Sequence, residues 1–142
     1  MITWNIFIWF GVTAIILAAA GAVAALCAND HWSACSVKYR QRRTIAVSFT
    51  VSAVVVMTAF IIGLWITLQR PPLKTMGETR LWYSFFALIS GLFTYLRWRY
   101  KWILSYSTVL AAVFIIINIA KPQIHDQSLM PALQSVWFIP HV

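Results

Sequence analysis

Four long apolar runs, set apart by short polar clusters, organise the chain: residues 4–28, 45–68, 79–99 and 103–120. Crossing about 30 Å of hydrocarbon as a helix takes about 20 predominantly apolar residues. The first two runs meet that length easily, and the fourth is adequate. The third is free of charge only over 81–96. It reaches full length when Arg97 and Arg99 turn their heads to the water layer while their stems stay in the apolar phase. No Lys or Arg precedes the first run, which is also longer than the apolar segment of a secretion signal, so a cleaved signal is not expected. The pattern predicts an all-α, multi-pass transmembrane helix bundle of four spanning helices, with residues 121–142 as a tail.

Punctuation between the runs sharpens their ends. Pro71-Pro72 closes the second helix, because proline lacks a backbone N–H and fixes φ. Thr75 followed by Glu78 has the spacing of a capping box, which starts the third helix near Met76. Glu78 then sits in the first turn, against the positive end of the helix dipole. Gly11, Gly21, Gly63 and Gly91, with the alanine-rich stretch 18–25, mark expected close helix–helix contacts. Trp4, Trp9, Trp65, Trp82, Trp98 and Trp102 fall near run ends, where an amphipathic indole favours the membrane–water interface. In the tail, Leu129, Leu133 and Trp137 recur every four residues, so this segment can lie as a short amphipathic helix on the membrane surface. Pro140 breaks that helix and suits the first turn of a following one, which His141 would occupy.

Composition agrees. Apolar residues make up 61% and charged residues 10% of the chain, against about 25% charged in soluble domains. Three acids, Asp30, Glu78 and Asp126, cannot coat a water-facing surface. The net charge of +8 comes in clusters between apolar runs, without a nucleic-acid-binding motif, so the partners it implies are the lipid bilayer and its anionic headgroups rather than nucleic acid. Lys38, Arg40, Arg42 and Arg43 in the first connection, with Arg97, Arg99 and Lys101 in the third, outnumber Arg70, Lys74, Arg80 and Lys121. The positive-inside rule therefore expects connections one and three inside the cell, and both termini on the outer, periplasmic side.

Catalytic material is scarce. The sequence offers no carboxylate pair, no phosphate-cradling glycine loop and no H-E-x-x-H. No run has an ionisable residue at its centre, which disfavours a transporter or proton pump, and a helix-to-helix hydrogen bond accounts for Asn118. Cys27 and Cys35 form no C-x-x-C and are expected as reduced thiols on the inner side. His31 reads as a solvated residue after the first helix. His125 and His141 share the outer face, and two imidazoles there could bind one metal.

The segments "RPPLKTMGETRLWYSF", "YLRWRYKWILSYSTVLAAVFIIIN" and "LMPALQSVWFIPHV" resemble the N-terminal part of the CcsA-type cytochrome c assembly proteins, which handle haem in bacterial and plastid membranes. The resemblance is weak in the first forty residues and stronger from Arg70 onward. In that family a histidine after a P-x-L-x-S-x-W-type stretch is an outer-face axial ligand of haem, and His141 matches that position, with Pro131, Leu133, Ser135 and Trp137 before it.

The resemblance implies a component of cytochrome c maturation in the bacterial inner membrane, presenting haem (b-type, transiently bound) for covalent attachment to apocytochrome c. Its site residues are His141 as axial ligand and Trp137 beside it. Arg70, Lys74 and Arg80 are weaker candidates for the haem propionates, and His125 is a weak second metal candidate. The family's tryptophan-rich WWD segment and second outer histidine are not found here. The chain is therefore expected to be the N-terminal portion of such a protein, partnered by an assembly subunit carrying that segment, and not catalytic by itself. The alternative is a small non-enzymatic scaffold pairing with another membrane protein.

Overall fold

The computed structural model describes residues 4–27 and 37–121, in four helices: α1 (Trp4–Leu26), α2 (Val37–Leu68), α3 (Met76–Trp98) and α4 (Lys101–Ala120). No strand occurs among the described residues. Three helices are long and apolar enough to cross a membrane, over Ile6–Leu26, Arg40–Leu68 and Lys101–Ala120. Their outward faces match that solvent. Trp9 is 75% exposed and Trp102 66%, and Ile16, Ile66, Phe93 and Val109 are likewise open. In water such a surface would drive aggregation, whereas lipid covers it without penalty.

The helices form an antiparallel bundle in which α1 packs on α2 and α4, and α3 packs on α4 and, less extensively, on α2. Its two ends have different characters. At one end, here the loop end, α2 passes into α3 through residues 69–75 and α4 finishes beside Lys121. Trp4, Phe7, Phe10 and Phe60 cluster there, with the Phe7 and Phe60 rings 4.9 Å apart. At the other, the turn end, Arg99 and Tyr100 join α3 to α4. There Ala25, Ala46, Tyr95 and Leu104 bring all four helices into one small cluster.

Small residues allow the close approach. Ala14, Ala18, Ala22 and Ala25 form a buried stripe on α1. A Cβ on Gly21 would fall 2.5 Å from Thr50 Oγ1 and 3.0 Å from the Ala46 carbonyl oxygen, and one on Gly11 would fall 2.8 Å from Ile115 Cγ2. The contacts expected at Gly11, Gly21 and Gly91 are therefore present. Buried hydroxyls satisfy themselves within their own helices: Thr50 donates to the Ala46 carbonyl at 2.9 Å, and Thr108 to that of Leu104 at 2.8 Å. Such i−4 back-bonds place hydroxyls in an apolar interior without needing water.

The start of α2 differs from that expected. Helix α2 begins at Val37 rather than near residue 45. Lys, Arg and Gln are good helix formers, and nothing in 37–44 breaks a helix. Apolar runs mark the lipid-embedded stretch, and a helix can extend past it into the polar layer. Helix α3 begins at Met76, as the capping box predicts, and so opens ahead of the apolar stretch that starts at residue 79. It stops at Trp98, where Arg99 takes the left-handed conformation with φ 61° and donates its N–H to the Tyr95 carbonyl.

Candidate functional site

The α2–α3 connection is the most elaborately hydrogen-bonded part of the described molecule. Gln69 turns the chain with φ 52°, and its side-chain amide donates to the Ile66 carbonyl at 2.7 Å, covering an acceptor that the ending helix leaves open. Pro71 and Pro72 prevent the helix from continuing. Pro72 is buried and its carbonyl accepts from Trp82 Nε1 at 2.9 Å, which pins the loop to the second turn of α3.

At the centre lies Glu78, 1% exposed. Its backbone N–H donates to Thr75 Oγ1 at 3.3 Å, while its carboxylate Oε2 accepts from the Thr75 N–H at 3.0 Å, completing the capping box. The same oxygen accepts from the Lys74 N–H at 2.6 Å. Arg70 closes the arrangement as a two-pronged clamp, with Nη1 donating to Oε2 at 3.1 Å and Nη2 to Oε1 at 3.0 Å. A buried carboxylate is tolerable only when paired and fully hydrogen-bonded, and this one is both. Beside it, the Asn118 side-chain N–H of α4 donates to the Gly77 carbonyl at 3.1 Å. This is the helix-to-helix bond expected of Asn118. It ties the end of α4 to the first turn of α3.

This geometry sorts the cations proposed for haem propionates. The Arg70 guanidinium is engaged by Glu78, with 35% of its side chain exposed. Lys74 is exposed on the loop and Arg80 is half-buried one turn into α3. Lys121 is exposed at the end of α4, so the 122–142 segment departs from the same end of the bundle. Lys74, Arg80 and Lys121 thus stand at this end of the bundle, and Glu78, the only acid among the described residues, is already neutralised by Arg70. His141, Trp137, His125 and His31 lie outside the described residues, and so do Cys35 and Trp32. Among the described residues no group of three or more His, Cys, Asp or Glu side chains converges.

The clamp between Arg70 and Glu78 was not foreseen from sequence, although an acid at capping-box spacing, eight residues after an arginine and across Pro-Pro, was the available signal. A groove between α3 and α4 was also missed. It has a volume of about 530 Å³ and is walled by Tyr83, Phe86, Tyr106, Leu110 and Phe114, with Ala87 and Gly91 among its smaller lining residues. Small and hydroxyl residues at helical spacing (Ala87, Ser90, Gly91, Thr94) were its trace in the sequence. No family model matches the chain, and neither the curated proteins nor the solved structures include a similar one.

Proposed function

We propose that the chain is a membrane component of cytochrome c maturation, holding haem at the outer face of the bilayer for attachment to apocytochrome c, with His141 as an axial ligand of the iron. One observation supports this reading most. Lys121, from which the segment carrying His125, Trp137 and His141 departs, lies at the same end of the bundle as Lys74 and Arg80. In this reading His141 lies at that end too, so that an iron ligand and cations for the propionates would share one membrane edge. Imidazole is a common axial ligand of haem iron, and Lys or Arg contacts hold propionates through charge-assisted hydrogen bonds.

In this reading α3 is a fourth crossing. Its stretch 81–96 carries no charge and spans roughly 24 Å. Arg80 and Arg97 flank it and can reach the polar layers. The turn end, richer in Lys and Arg, then faces the cell interior, and the loop end faces out. The haem supplies the vinyl groups of the thioether reaction when bound. The chain's own residues position it: His141 ligates, Lys74 and Arg80 orient the propionate edge, and Trp137 packs beside the ring. Arg70 contributes by holding Glu78, and through it the loop that carries Lys74.

The test is haem titration of the purified chain in detergent. A Soret band is expected, and His141→Ala should remove most of it while Lys74→Gln/Arg80→Gln weakens binding several-fold. A band unchanged by His141→Ala contradicts the ligand assignment.

A further inference from the structure

Arg97 and Arg99 follow the lining residues of the α3–α4 groove toward the turn end, and we propose that the groove is a binding site for one anionic glycerophospholipid, with an acyl chain in the groove and the phosphate at Arg97 and Arg99. The proposal rests on the helices lying in a bilayer, not on the haem reading.

The helical register carries the argument. On α3 the lining residues are Tyr83, Phe86, Ala87, Ser90, Gly91 and Thr94, and the next positions on that stripe, three and four residues on, are Arg97 and Trp98. On α4 the lining runs back from Phe114 through Leu110, Tyr106 and Ser107 to Ile103, and the stripe then meets Arg99 and Tyr100 in the connecting turn. By register, two arginines and two interface aromatics therefore come next after the apolar slot toward the turn end. Arg97, Trp98, Arg99 and Tyr100 are all exposed. The Arg97 guanidinium lies over the Trp98 ring, 5.7 Å from its centroid, which holds the cation at the rim.

The dimensions suit one chain of one leaflet. From residue 83 to residue 94 is roughly 17 Å of helix, against about 15 Å for half of a 30 Å hydrocarbon layer. A volume of about 530 Å³ is within the usual range of small-molecule sites, about 300–1,000 Å³. The walls are aromatic and branched aliphatic, apolar enough for a methylene chain.

Charge selects the headgroup. The only acid among the described residues, Glu78, is at the opposite end and is clamped by Arg70. Nothing described at the turn end competes for Arg97 or Arg99. Helix α4 also starts there without a side-chain cap and without an acid in its first turn, so its first N–H groups add to the attraction for a phosphate. A zwitterionic lipid would bring its own cation to the same place and lose most of this gain.

Native mass spectrometry of the full chain in detergent, titrated with phosphatidylglycerol or phosphatidylcholine of identical chains, tests the site. Phosphatidylglycerol should be retained at least tenfold more tightly. Arg97→Gln/Arg99→Gln should bring it to the phosphatidylcholine level, and Ser90→Phe, which fills the slot from an exposed position, should weaken both lipids. Arg40→Gln/Arg43→Gln removes the same charge from α2 at the same end and should leave affinity within twofold. Equal retention of the two lipids overturns the proposal. So does a loss from Arg40→Gln/Arg43→Gln as large as that from Arg97→Gln/Arg99→Gln, because the attraction would then be diffuse.

Discussion

Glu78→Ala should lower stability by about 3 kcal/mol, toward the lower end of what removing one partner of a buried ion pair costs. The loss has several parts. The Lys74 and Thr75 N–H groups lose their acceptor, and α3 loses its reciprocal cap. Arg70 loses its partner too, but it is partly exposed and regains some hydration, which is why the lower end applies. Glu78→Gln keeps one acceptor oxygen for the loop N–H groups and should recover part of the loss. Thermal unfolding in detergent, followed by the helical circular-dichroism signal, reads the order: wild type, then Glu78→Gln, then Glu78→Ala. A Glu78→Ala midpoint equal to wild type would mean that the clamp does not hold the loop.

The second large effect lies at Gly91. A Cβ there would sit 2.5 Å from Ser107 Cβ and overlap the Ser107 hydroxyl oxygen, so even alanine forces α3 and α4 apart. Overpacking of this kind costs about 1–3 kcal/mol, and Gly91→Leu should fall at the top of that range. Ser107→Ala cannot relieve the clash, since the Cβ remains. Ser107→Gly can, so Gly91→Ala/Ser107→Gly should unfold closer to wild type than Gly91→Ala alone. A double variant no better than the single one would mean that the Gly91–Ser107 contact does not set the spacing of α3 and α4.

These two sites also show how far the sequence could be read. Thr75 and Glu78 announce a helix start because a capping box is local chemistry, complete within four residues. Arg70 does not announce its pairing with Glu78, because the pairing depends on how Pro71 and Pro72 fold the chain back. The sequence alone suggests instead an arginine available to a ligand. Gly91 is legible as a packing residue from its type and setting. Its neighbour Ser107 is not, since facing residues on two helices are fixed by crossing geometry rather than by spacing. Asn118 illustrates both halves: a buried amide must find an interhelical partner, but only the fold identifies the Gly77 carbonyl. The early start of α2 escaped for a different reason, because apolar runs report where lipid begins and charged helix formers carry the helix beyond it. The proposed iron ligand, His141, is carried by its sequence context, and the fold contributes the end of the bundle from which its segment departs.

In the proposed arrangement four helices cross the bilayer and leave residues 69–75 and the 122–142 segment on the outer side. Single cysteines at Lys74, Arg97 and Ser135, in a Cys27→Ser/Cys35→Ser background, can be probed in intact cells with a membrane-impermeant maleimide. The account predicts that the cysteines at positions 74 and 135 react before permeabilisation and that the one at position 97 reacts only after it. Positions 74 and 97 reacting from the same side, or position 97 alone reacting from outside, would contradict it.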